Sequence, residues 1–163
     1  MAYLKFQEVP QPLHKRIEMV WDKEDSLEFE PNCYGTAFFL AGVLPYDMVI
    51  FNDPKKRYLR RAIERMHGSP LIQDNSIAVF HKPGGIVHMA YIETAYPLIG
   101  YHRRGAEGEF EKITNFLQVD EYLRNVFEKN INFREDFHCL SPSDNLSDWA
   151  KEVVEAYTPG WDG

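Results

Sequence analysis

The sequence is short of cysteine and of positive charge. Its 163 residues hold two cysteines, Cys33 and Cys139, and 18 Lys+Arg against 25 Asp+Glu. Two cysteines are too few for a disulfide framework at this size. No C-x-x-C or H-x-x-x-H pair occurs, which removes the common structural zinc spacings, and no metal or cofactor is expected. The formal net charge of −7 argues against a nucleic-acid partner, because holding a phosphate backbone needs surplus cation. Long apolar runs are missing too. The longest candidate, "AFFLAGVLPYDMVIF", is broken by Gly42 and Pro45 and charged by Asp47, so no stretch reaches the roughly 18 residues of a membrane span. The opening "MAYLKFQEVPQPLHKR" lacks the basic start, apolar middle and small-residue cleavage site of a signal peptide. As written, the chain reads as cytoplasmic, with export by another route or a trimmed leader left open. Repeats, low-complexity tracts and linkers are absent, so residues 1–163 read as a single domain.

What is present suits a packed globular core: 44% hydrophobic residues, 14% aromatic and 26% charged. After a Pro-spaced lead-in, a short helix is expected from about Leu13, with Leu13, Ile17, Val20 and Trp21 at helical spacing. Cys33 to Val43 reads as a buried helix, with Asn32 as N-cap and Gly42 and Pro45 ending it. A further helix is expected in "NDPKKRYLRRAIERMHG", capped by Asp53, with Pro54 at its first position and Gly68 as its stop. Its basic residues read as a solvated face. From Ser76 to Thr114 the texture changes to strand, turn, strand, turn, strand, loop, strand, with turns at Pro83-Gly84-Gly85 and around Ala95. Helices near Val119–Lys129 and Ser147–Tyr157 close the chain. Helices, an antiparallel meander and more helices make an α+β layout.

The chemistry centres on Cys33. At a helix N-terminus, unpaired N–H groups and the macrodipole favour a thiolate, which lowers the thiol pKa and offers donors to an oxyanion. The competing structural reading is a packed core thiol, common for free cysteine. A nucleophilic cysteine needs a base, and six histidines are available. His88 opens the second strand of the meander, and His102 ends the third, fourteen residues on. A hairpin folded about Ala95 sets the two opposite each other on one face, where one imidazole can orient the other. His81, beside the Pro-Gly-Gly turn, is a rival base expected to be exposed. His14, His67 and His138 have no evident partner and sit in helical or loop contexts. Cys139 next to His138 makes no dyad by adjacency.

A helix-opening cysteine in "NCYG", a strand in "NSIAVF", a histidine strand in "HMAYI" and a later histidine in "PLIGYH" together resemble the NlpC/P60 cysteine peptidases of the papain-like superfamily. The cysteine and the glycine two places on agree with that family's nucleophile motif, and the flanking residues depart from it. The family carries a tyrosine upstream of the cysteine, where Trp21 stands here. The resemblance covers roughly residues 20 to 115 and implies a papain-like fold, a central antiparallel sheet packed against the nucleophile helix and flanking helices. It implies Cys33 as nucleophile, His88 as base and His102 as its orienting partner, acting on an amide bond through an acyl-enzyme. The implied substrate is a peptide or peptidoglycan fragment of bacterial cell walls.

Tyr34, Arg103 and Glu30 are candidate substrate contacts around that triad. Tyr34 follows the nucleophile, Arg103 follows His102, and Glu30 precedes the helix. Two other classes stay open. One is a non-enzymatic protein-binding module, which the acidic surface and rich aromatics would suit. The other is a different thiol chemistry, an acyltransferase or a deamidase.

Overall fold

A computed structural model describes residues 11–22, 31–51, 55–69, 71–82, 85–104, 109–127, 136–142 and 146–156. Among these, a six-stranded antiparallel sheet is covered by helices on both faces. The elements run α1 (Leu13–Asp22), α2 (Cys33–Leu40), α3 (Tyr58–Glu64), β1 (His67–Ser69), β2 (Ser76–Lys82), β3 (Gly85–Thr94), β4 (Ile99–Arg103), β5 (Phe110–Ile113), α4 (Leu117–Phe127), β6 (Phe137–Ser141) and α5 (Ser147–Ala156). The strand order is β1-β6-β2-β3-β4-β5. The expected α+β class and the four-strand meander therefore stand.

Alternation along the strands divides the core in two. Ile77, Val79 and Met89 face α2, α3 and α5, where they meet Phe38, Leu59, Trp149 and Val153. Ala78, Phe80, Ala90 and Ile92 face the other way, onto Val119, Tyr122 and Leu123 of α4. A third cluster joins α1 to α2 and the β3–β4 pair through Val20, Phe39, Leu40, Tyr91 and Tyr101. The Arg16 guanidinium donates to the Phe39 and Leu40 carbonyls at the end of α2, where a cation complements the helix terminus.

Helix α2 begins where the sequence places it. The Asn32 side chain accepts from the Gly35 N–H at 3.0 Å, as an N-cap should. The same amide also bonds both polar groups of Ile50, so the segment after the helix lies along its first turn. Gly35 allows that approach: a Cβ there would sit 1.5 Å from the Met48 carbonyl oxygen. The helix stops at Leu40 rather than Val43, with Ala41 as cap and Gly42 at φ 81°.

Several expectations need correction. Helix α3 starts at Tyr58, behind Arg57 at φ 55°, and Gly68 lies in strand β1 instead of closing the helix. Asp53 and Pro54 fall outside the described residues. Strand β6, which holds His138 and Cys139, inserts between β1 and β2, so that segment is neither helix nor loop. The β3–β4 register is also two residues off the expected one. Tyr91 pairs with Tyr101 and Ile92 with Gly100, with a bulge before Thr94↔Ile99 and a cis Tyr96–Pro97 bond in the turn.

Candidate active site

A two-residue register shift leaves every side chain on its original face, whereas a one-residue shift would reverse them all. Carried on from Tyr91↔Tyr101, the observed register sets His102 against Ala90, so His88 is its diagonal neighbour rather than its opposite. The rings still meet. His88 Nε2 lies 2.8 Å from His102 Nδ1, with the rings nearly perpendicular. Strand β5 adds a carboxylate: His102 pairs directly with Glu111, and His102 Nε2 lies 3.2 Å from Glu111 Oε1.

Helix α4 covers the pair. The Tyr122 ring sits 5.1 Å from His88 and 5.8 Å from His102, between centroids, and the Arg104 guanidinium lies over the same ring, 5.4 Å from its centroid. Both histidines are buried. Burial, helped by the neighbouring His102, holds His88 well below the ordinary histidine value of 6.5. Burial also lowers His102, against the opposing pull of Glu111. Both imidazoles are therefore neutral at physiological pH. One buried nitrogen is left over: among the described residues nothing hydrogen-bonds His88 Nδ1, the Cys33 sulfur included.

Cys33 approaches from α2. The backbone N–H groups of Met89, Tyr34 and Cys33 itself face its sulfur and favour the anion, as does the charge of Arg103. Met89 is the residue after His88, so the thiol lies against the backbone next to His88. Burial outweighs these donors and pushes the thiol up to about 11. This reverses the expectation of a lowered thiol pKa: the helix N-terminus acts in the expected direction, but desolvation is larger.

The candidate substrate contacts are placed differently from one another. The Tyr34 hydroxyl donates to the Ile86 carbonyl at 3.2 Å, beside the Cys33 turn. Glu30 lies outside the described residues. Arg103 is an internal tie. Adjacent strand residues face opposite ways, so Arg103 points away from His102, toward α2. It is 4% exposed, donates to Asp47 Oδ2 at 2.7 Å and to Thr36 Oγ1 at 2.9 Å, and Thr36 in turn bonds Asp47 at 2.6 Å. Arg104 is the arginine that shares the face of His102.

His81 and His138 form a second pair that the sequence reading missed. Their rings stack with centroids 4.6 Å apart, and His81 Nε2 lies 2.8 Å from His138 Nδ1. His81 is half-buried rather than exposed, and the missed strand β6 supplies its partner. Among the described residues no group of three or more His, Cys, Asp or Glu could hold a metal ion. No described helix is long and apolar enough to cross a membrane.

Glu111 was also missed, though a signal for it existed. His102 and Glu111 stand symmetrically about "GAEG", residues 105–108, and a hairpin centred there pairs them. Comparisons with protein-family models, with curated proteins and with solved structures found no match.

Proposed function

We propose that the protein is a cysteine hydrolase that cleaves an amide bond, with Cys33 as nucleophile and His88 as base. The observations that carry this reading are the unpaired Nδ1 of His88, whose Nε2 is held by His102, and the N–H of Met89, the next residue of β3, against the Cys33 sulfur. A buried polar atom without a partner costs about 1–3 kcal/mol. A purely structural imidazole would gain by pairing both nitrogens, whereas a base needs one nitrogen open.

In this reading the resting pair is neutral thiol and neutral imidazole. His88 Nδ1 takes the thiol proton as sulfur attacks the carbonyl carbon, so a stable thiolate is never required beforehand. The N–H of Cys33 at the mouth of α2 donates to the developing oxyanion. His88 then gives its proton to the leaving amine as the C–N bond breaks. Water attacks the resulting thioester with His88 again as base, releasing a carboxylic acid and restoring the thiol. Catalytic hydrogen bonds are often loose in the free enzyme and tighten on substrate, which accommodates the absent Cys33–His88 bond. The papain-like NlpC/P60 fold, and bacterial cell-wall peptides as substrate, are supported by the order of the cysteine, strand and histidine motifs.

The test is purified protein incubated with peptidoglycan peptide fragments, with products read by mass. Turnover that disappears in a folded Cys33→Ala variant supports the hydrolase. Product formed only with an added amine or alcohol acceptor would move the reading to an acyltransferase. A non-enzymatic binding module is the second reading, favoured by the burial of Cys33 and its raised pKa; it predicts no turnover under either condition.

A further inference from the structure

We propose that Glu111 is a positioning residue that sets the tautomers of both His102 and His88, and so makes His88 Nδ1 the basic atom of the site. The assignment follows from counting donors along a chain of three groups. A carboxylate accepts and does not donate. The 3.2 Å contact between Glu111 Oε1 and His102 Nε2 therefore puts the His102 proton on Nε2. A neutral imidazole carries one ring proton, so His102 Nδ1 is an acceptor. The 2.8 Å contact between that atom and His88 Nε2 then puts the His88 proton on Nε2. His88 Nδ1 is left with a lone pair, and it is the nitrogen that nothing among the described residues bonds.

Glu111 is itself held in place. The Gln118 amide at the start of α4 accepts from the N–H groups of Thr114 and Asn115 at 2.8 and 3.1 Å. Those two donors fix which way the amide points. Its nitrogen is thereby directed at Glu111 Oε1, 3.3 Å away, and at the Lys112 carbonyl, 3.2 Å away. Arg104 Nη1 lies 3.9 Å from the other carboxylate oxygen. The groups around the imidazole pair are thus His88 from β3, His102 from β4, Arg104 just past it, Glu111 from β5, and Tyr122 and Gln118 from α4. Glu111 is the one carboxylate among them. The Tyr122 hydroxyl is held above its ordinary value, first by burial, so it brings no negative charge at neutral pH.

Its use in catalysis rests on the hydrolase reading; the proton positions do not, and they can be measured without any substrate. Long-range nitrogen–proton correlation spectra of 15N-histidine-labelled protein at pH 7.5 separate the two tautomers directly. In the wild-type protein, His88 and His102 are both expected as Nε2–H tautomers. In Glu111→Ala the two are expected to become mixtures. Glu111→Leu, close in size but without an acceptor, gives a second variant if the alanine form does not fold. A wild-type spectrum with the proton on His88 Nδ1 overturns the proposal, and so do unchanged tautomers in a folded variant. If Cys33-dependent turnover is present, Glu111→Ala is expected to lower kcat by about 10- to 100-fold, the range seen when partners behind ligating histidines are removed. Correct tautomers with no turnover would retain the positioning role and reject the hydrolase.

Discussion

The backbone N–H of Met89 faces the sulfur of Cys33, which puts the thiol that opens α2 against the residue following His88. Two elements far apart in sequence are thereby joined at one point. Helix α2 brings the sulfur and its own first-turn N–H groups, and strand β3 brings the Met89 N–H, one residue along from an imidazole whose Nδ1 no described residue bonds. Neither group is charged at rest. Burial raises the thiol to about 11 and lowers His88, so the site differs from one built on a preformed thiolate–imidazolium pair.

A resting thiol of this kind should be slow toward alkylating agents at neutral pH. Iodoacetamide modification of Cys33 is expected to rise with pH toward a midpoint near 11, well above the value of about 8.5 for a free cysteine. Peptide mapping separates Cys33 from Cys139, which burial also raises. A Cys33 midpoint below 8 would show that the backbone donors, rather than burial, dominate the sulfur.

Acid should destabilise the fold before the carboxylates titrate. His88 and His102 have folded values below their ordinary 6.5, so between those values and 6.5 the unfolded chain binds more protons than the folded one. Stability is then fully present above about pH 6.5 and is lost as pH falls below it, by up to about 1.4 kcal/mol per pH unit for each histidine held neutral. Urea unfolding at pH 7.5, 6.5 and 5.5 measures this. His88→Phe, which keeps a ring in the cavity, should flatten the dependence between pH 6.5 and 5.5.

Two internal contacts should matter for the fold rather than for chemistry. Gly35→Ala would drive a Cβ into the Met48 carbonyl, and backbone cannot rotate aside, so a loss of about 3 kcal/mol is expected, the upper end of overpacking costs. Arg103→Ala would remove one partner of the buried Asp47–Arg103 ion pair, a change that typically costs about 3–5 kcal/mol. Chemical denaturation checks both. An Arg103→Ala protein of unchanged stability but raised KM would return Arg103 to the role of substrate contact.

Much of this arrangement could be read before any coordinates, because it depends on local signals. Asn32, Cys33 and Gly35 mark a helix start in three residues, and the β-branched and aromatic runs from Ser76 to Thr114 mark the meander. The His88–His102 meeting survived an error in register because the error was an even number of residues. What could not be read depends on non-local pairing. Strand β6 is five residues long, and it inserts between β1 and β2, so neither its existence nor the His81–His138 contact had a periodic signature. The capping signals at Asp53 and Pro54 outweighed the left-handed Arg57, at which α3 actually begins. The tie of Arg103 to Asp47 and Thr36 is also non-local, spanning 56 and 67 residues, and carries no sequence signature.

The central claim is that Cys33 becomes acylated with His88 Nδ1 taking its proton. The most direct measurement is intact-protein mass spectrometry after rapid acid quenching of the protein with peptidoglycan peptide fragments. The account predicts an added acyl mass that maps to Cys33, is released by hydroxylamine, and forms about 10²–10⁴-fold more slowly in His88→Ala. Turnover in a folded Cys33→Ala protein, or an acyl adduct that maps to Cys139, would contradict it.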